Sequence, residues 1–374
     1  MKKSIVALAT LSAIGTAFAD VDVSGGIKLY GVLDQGVTQQ TLKNPASASG
    51  STVTYTSMFA SSATSRLGVK GSRDLGEGFK ARVQVEIQIE PDNSTLLPTK
   101  NRGTFVGLSK EGAGEILAGT QETTAYEIFG MDVNGRVEYK PQVWRTVASN
   151  DLQDRANNSI KYVSPEFISG LTVHFHKGFS DSASAPNTFS AYGVKFHRDN
   201  LRVAFVTDKL ENSQASYKFA GIVNAGPSKE GTTVSTQSTT AMVYAGLTTS
   251  EVRRQIGAVS YDFGVATLNY IYAKSFTSDG NNGSLTTNTV GVKIPYEKVT
   301  FATSFGRGNV DSYNTGNATS SLAKDGTITD WTSGLYYAFD KSTNMYVLYS
   351  TSSFNGGLQD GSNKTMSIGA RFNF

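Results

Sequence analysis

Phe79-Lys80-Ala81-Arg82-Val83-Gln84-Val85-Glu86-Ile87-Gln88-Ile89-Glu90 is the stretch on which the fold turns. Every odd position is apolar and every even position is charged or an amide. A side-chain period of two puts these sets on opposite faces of an extended chain, so the stretch is a strand with one greasy and one wet surface. It alternates without a break over 12 residues. That is about twice the usual strand of a soluble sandwich, and it matches the roughly 9–11 residues that a tilted strand needs to cross a bilayer.

Upstream, across the glycine-rich turn 74–78, residues 65–72 set Leu67, Val69 and Gly71 against Arg66, Gly68 and Lys70. The two arms form a hairpin. The same unit recurs as 104–109 with 115–121, 159–163 with 171–177, 191–197 with 201–207, 255–261 with 265–273, 289–294 with 299–305, and 330–338 with 345–351. A first strand at 23–33 and a last at 364–374 complete sixteen. An even number lets short turns collect on one side and long loops on the other. Closing the sheet removes the unpaired edges that so many strands would otherwise expose. The expected fold is therefore all-β, a 16-stranded antiparallel transmembrane β-barrel. Residues 41–64 read as a long loop. Within 210–253, segments 217–223 and 241–247 also look strand-like, and we expect an external hairpin there rather than two further crossings.

Residues 1–19 read as an export signal: a basic start at Lys2 and Lys3, an apolar run from Ile5 to Ile14, and the small-x-small site Ala17-Phe18-Ala19. The mature chain, 20–374, is expected to be one barrel domain. No later run approaches the 18 or so apolar residues of a helical span. With Cys 0, an exported chain is stabilised without disulfides, and Gly 38, Tyr 17 and Phe 20 suit a wall that is wet on one side and lipid-facing on the other. Removing Lys2 and Lys3 lowers the net charge from +3 to +1. No basic block points to nucleic acid.

Residues 122–156 break the rhythm. They form a 35-residue connection dense in charge and aromatics, among them Glu122, Tyr126, Glu127, Asp132, Glu138, Trp144 and Arg155. A connection this long within a compact architecture is functional or else counts against the element assignment.

Several segments together resemble the general porins of Gram-negative outer membranes, in particular the trimeric type of Neisseria-like and Burkholderia-like bacteria. They are Leu29-Tyr30-Gly31-Val32-Leu33-Asp34, Ser65-Arg66-Leu67-Gly68-Val69-Lys70-Gly71, Asp74-Leu75-Gly76-Glu77-Gly78 and Phe105-Val106-Gly107-Leu108-Ser109. Further along come Arg155-Ala156-Asn157-Asn158-Ser159-Ile160-Lys161-Tyr162, Ser260-Tyr261-Asp262-Phe263-Gly264 and the terminal Gly369-Ala370-Arg371-Phe372-Asn373-Phe374. The resemblance implies a homotrimeric, water-filled channel for passive diffusion of ions and small hydrophilic solutes, with the third external loop, here 122–156, folded into the lumen. It implies contacts with outer-membrane lipid and lipopolysaccharide, and a role for Phe374 as the assembly signal read by the barrel-insertion machinery. Where the family commonly has Leu-Gly-Arg-Gln, Ala118-Gly119-Thr120-Gln121 lacks the arginine, so one basic group near the pore entrance is absent.

Such a channel needs no cofactor. Its mechanism is a size limit and a field across a narrow aqueous gap. We expect the constriction to set Lys28, Arg66, Lys70 and Arg82 on the wall against Glu122, Glu127 and Asp132 on the inserted loop. Glu138, Asp151, Asp154 and Arg155 are expected to anchor that loop. Aromatics near strand ends, including Tyr162, Phe263, Tyr296, Tyr336 and Tyr337, read as interfacial girdles. His174, His176 and His197 make a weak metal signal and read as lumenal imidazoles. No Gly-x-Ser-x-Gly elbow occurs. The alternatives are a solute-specific porin, or a surface adhesin or receptor acting through 41–64, 210–253 and 309–329.

Overall fold

The computed structural model describes residues 21–24, 26–43, 52–59, 63–91, 100–134, 155–180, 187–212, 251–277, 284–311, 326–356 and 361–374. The export signal, the middle of 210–253, and Glu138, Asp151 and Asp154 lie outside them. The strands are β1 (Val21–Ser24), β2 (Ile27–Lys43), β3 (Thr52–Phe59), β4 (Arg66–Gly76), β5 (Phe79–Gln88), β6 (Lys100–Lys110), β7 (Gly114–Glu122), β8 (Arg155–Val163) and β9 (Leu171–Gly178). They continue as β10 (Asn187–Arg198), β11 (Leu201–Asn212), β12 (Glu251–Asp262), β13 (Thr267–Thr277), β14 (Ser284–Tyr296), β15 (Val299–Asp311), β16 (Gly326–Ala338), β17 (Thr343–Gly356) and β18 (Gly361–Asn373). A short 3₁₀ helix occupies Tyr126–Met131.

β4 to β18 pair antiparallel with their neighbours in chain order. β2 closes the ring, pairing with β4 on one edge and β18 on the other. The ring thus has sixteen members, each matching one strand expected from the alternation. β11 pairs directly with β12, from Leu201↔Tyr261 to Glu211↔Glu251, so the two are neighbours in the ring.

Two expectations change at the start of the chain. Residues 41–64 are not simply a loop: β2 runs on to Lys43, and β3 pairs with its far half, from Gly36↔Phe59 to Lys43↔Thr52. β3 and β4 share one place in the ring, β3 beside the far half of β2 and β4 beside its near half. Nor is 23–33 one strand. Gly26 has φ +82°, and β1 folds back on β2 with Asp22 opposite Lys28. β4 already occupies one edge of β2 there, so β1 lies on the other edge, continuing the line where β18 ends.

The two faces differ as the alternation requires. On β15, Phe301 and Phe305 are exposed while Ala302 and Ser304 are buried. On β10, Tyr192 and Val194 point out while Ala191 and Gly193 point in. An outer band of such residues faces lipid, and the opposite face lines the lumen. Tyr336 corrects the girdle expectation. It neighbours Tyr337 on β16, and adjacent strand residues face opposite ways. Tyr337 is exposed, whereas Tyr336 is buried on the inner face beside Tyr346, ring centroids 6.4 Å apart.

Candidate functional site

Residues 123–134 lie against the inner wall and cross several strands. At Gly193 of β10 a Cβ would come within 2.5 Å of the Thr124 methyl, and at Gly291 of β14 within 2.4 Å of a Val133 methyl. These two glycines are the seats of the segment, since any larger residue would lift it off the wall. Farther on, the Asn134 amide donates to Ser304 Oγ on β15 at 2.6 Å.

Ion pairs tie the segment at its root and its middle. Glu122 and Arg155, the last residue of β7 and the first of β8, are register partners whose side chains meet at 3.1 Å. Arg155 also donates to the Arg102 carbonyl and lies 5.2 Å from the Tyr126 ring. In the 3₁₀ helix, Glu127 accepts from both Lys161 on β8 and Lys195 on β10, and His174 Nδ1 of β9 lies 3.7 Å away. Burial alone would raise the Glu127 carboxyl. The opposing charge of Lys161, Lys195 and His174 outweighs it and brings the pKa down to about 2.

The expected basic wall divides. Lys28 and Lys70 are register partners on β2 and β4, and the Lys70 ammonium sits 4.7 Å from the Tyr30 ring centroid. Arg66 is buried and faces a wall acid, with Nε 3.5 Å from Glu86 Oε2. Glu86 also accepts from Arg102 Nε at 2.9 Å and from the Tyr30 hydroxyl at 3.0 Å. Arg82 meets Glu115 at 2.9 Å with its side chain still exposed. On the segment, Asp132 Oδ1 accepts from the Asn134 backbone N–H at 2.9 Å. Phe374 sits at the seam: its backbone exchanges hydrogen bonds with Gly31, and its ring fills the space a Gly31 side chain would take.

Two charged groupings escaped the sequence reading. Arg102 joins Glu86 through a bulge, where the β5–β6 register jumps from Glu86↔Gly103 to Ile87↔Asn101 and leaves Arg102 unpaired by backbone. Asp208 and Arg254 are register partners on β11 and β12. The expected strands stopped at 207 and began at 255, one residue short on each side. Continuing the alternation by one step would have found the pair. Of the histidines, His174 and His176 face inward and are buried, with His176 Nε2 3.0 Å from Ser159 Oγ, while His197 lies exposed by the turn after β10. Among the described residues no three His, Asp or Glu side chains gather to hold a metal ion.

A closed antiparallel barrel with an apolar belt outside and a charged lining inside defines an outer-membrane channel protein. The chain belongs to the Gram-negative porin family, whose profile matches residues 5–357. It is 33% identical over 189 residues to outer membrane porin protein 32 of Delftia acidovorans, covering 48% of this chain and 50% of that one. It is 32% identical over 206 residues to major outer membrane protein P.IB of Neisseria meningitidis serogroup B, covering 54% and 56%. The matched part spans about half the length of these curated relatives. Among solved structures, an anion-selective porin from Comamonas acidovorans superposes with a TM-score of 0.70 at 20% identity, over 93% of this chain and 99% of that one. OmpF of Salmonella typhi does so with a TM-score of 0.64 at 15% identity.

Proposed function

We propose that the protein is a passive diffusion channel of the outer membrane for ions and small hydrophilic solutes, assembled as a homotrimer. The observation that carries this is the closed ring of sixteen strands whose inner face is lined by charge. Residues 123–134 narrow the lumen from within. The gap lies between this segment and the wall carrying Lys28, Arg66, Lys70 and Arg82, and solutes are sorted by size and by the field across it. Glu122, Glu127 and Arg155 act mainly as tethers, because the charges they meet belong to the wall or to the loop root. A trimeric form of Vibrio cholerae OmpT, similar in fold, supports the assembly.

Purified protein in planar bilayers should give stepwise, open, ion-conducting events that rise in threes. Complete absence of conductance would overturn the channel reading. Reversal potentials under a salt gradient give the ion preference. Arg82→Gln should shift it toward cations, because it removes a positive charge from the wall and uncovers the Glu115 carboxylate.

A further inference from the structure

Lys177 on β9, Lys274 on β13, Arg307 on β15 and Lys364 on β18 point away from the lumen. Each shares its face of the strand with an exposed apolar or aromatic residue two or four positions nearer the short turns: Phe175, Tyr270, Phe305 and Met366. Each also lies one to four residues from the loop end of its strand. Among the described residues, none of the four makes an ion pair or a side-chain hydrogen bond, and Lys274 lies 5.8 Å from the Phe276 ring centroid. Lys209 and Arg253, on the same outer face, differ. Lys209 meets Glu211 and Glu251 at 2.7 Å, and Arg253 meets Glu251 at 2.6 Å, so those two charges are already matched.

The register sets the four at one height. The row of paired residues through Lys177 runs by Ser190, Lys209 and Arg253 to Phe276, two residues loopward of Lys274. The row through Lys274 reaches Asn309, two loopward of Arg307. The row through Arg307 reaches Ser362, two loopward of Lys364. Rows run across the strands, and the strands of a barrel are tilted to its axis, so a steady step from row to row follows a level line. The turn ends step in the same sense: the row of Leu171 passes Tyr270, three residues loopward of Thr267, where β13 begins. The loop-side halves of β4, β5 and β7 turn Leu67, Val85, Ile87, Ala118 and Thr120 outward instead, so the cations are not a general feature of the wall.

A charge on the lipid-facing side is costly in hydrocarbon, and the long stems of Lys and Arg carry it up to the headgroup level. With no carboxylate of the described residues beside it, its counter-charge comes from the membrane. We propose that Lys177, Lys274, Arg307 and Lys364 form a collar that binds the headgroup phosphates of anionic lipids in the leaflet at the loop end. Ammonium and guanidinium both suit phosphate, the first as a point charge and the second as a two-pronged donor. Two strand spacings, about 10 Å, separate Lys274 from Arg307, so each engages its own phosphate. The collar stands whether or not the barrel conducts.

Trp331 reports on it. It lies on the outer face of β16, opposite Phe305 on β15 and opposite Thr351 on β17, whose other partner is Lys364. The protein carrying Trp144→Phe is folded into phosphatidylcholine vesicles doped with a small fraction of brominated lipid, which quenches tryptophan on contact. Brominated phosphatidic acid should quench as though enriched about fivefold beside the wall over brominated phosphatidylcholine, the factor expected of one cation at a membrane surface. Arg307→Gln with Lys364→Gln should bring the two lipids level. If that double variant does not fold, Lys364→Gln alone should lower the preference. Equal quenching by both lipids in the parent, or a preference unchanged in these variants, would overturn the collar. So would its loss on adding inorganic phosphate at constant ionic strength, which would show that the cations take soluble phosphate rather than a headgroup.

Discussion

Asp208 and Arg254 face each other across β11 and β12 in a two-point contact. Arg254 Nε donates to Asp208 Oδ1 at 2.7 Å, and an Arg254 terminal nitrogen donates to Oδ2 at 2.6 Å. The side chains are 0% and 1% exposed, so neither charge can turn to water. The worth of such a pair lies in what happens when half of it is removed. Asp208→Ala should destabilise the barrel by about 3–5 kcal/mol, because it removes the two-point counter-charge of a buried guanidinium. Asp208→Leu combined with Arg254→Met should recover most of that loss. Urea unfolding in lipid vesicles, followed by tryptophan fluorescence, measures both.

Glu127 gives a pH dependence with a definite sign. Its carboxyl falls from an ordinary 4.5 to about 2 in the folded protein. The tether is therefore fully present above about pH 4.5 and is lost as the pH falls toward 2. Single-channel recordings should be quiet at neutral pH and grow noisy over that interval. Glu127→Gln should be noisy at every pH, since it keeps the shape of the side chain but leaves Lys161 and Lys195 without their shared counter-charge. Quiet traces from the variant at pH 7 would show that the other contacts of the segment suffice to hold it.

The wall was legible from the sequence because a barrel strand has one instruction, alternation, and Phe79 to Glu90 state it without a break. What escaped were departures from that period. The bulge at Arg102 turns an extra residue inward, so counting odd and even from Thr104 could not reach it. Gly26 ends one run of alternation and starts another without changing the pattern, so the fold-back of β1 was invisible. Tyr336 and Tyr337 show the converse: two aromatics in a row look like a girdle, yet strand geometry sends one of them inside. Charge pairing was the least legible part. Glu86, Arg66 and Arg102 sit on three different strands, and only the register brings them together.

The seam between β2, β17 and β18 depends on a ring placed over a glycine. Tyr346 is 2% exposed, and its hydroxyl donates to Asp34 Oδ1 at 2.6 Å. A Cβ at Gly369 would come within 2.3 Å of that hydroxyl oxygen. Tyr346→Phe should cost about 1.5–3 kcal/mol, the range for a hydrogen bond to a charged acceptor. Gly369→Ala should cost about 1–3 kcal/mol by overpacking. The double variant should lose somewhat less than the sum, because the hydroxyl contact of the new methyl is gone while its contacts with the ring carbon Cζ at 2.5 Å and the Gln35 carbonyl at 2.7 Å remain. Unfolding midpoints of the four proteins close the cycle, and strict additivity would mean that the two positions do not sense each other.

Phe305 separates a membrane wall from a wetted one by the sign of a single substitution. It is the central residue of β15, 50% exposed, and its neighbour Ser304 points the other way at 2%. If the outer face met water, an exposed phenylalanine could be exchanged for arginine with little cost. Against lipid at mid-depth, Phe305→Arg should cost about 2–4 kcal/mol. Phe305→Leu, which keeps an apolar group there, should cost under about 1.5 kcal/mol. Folding into vesicles over a urea series reads both variants against the parent. The arginine penalty should also shrink in thinner bilayers, where position 305 lies nearer the headgroups and the guanidinium can reach them.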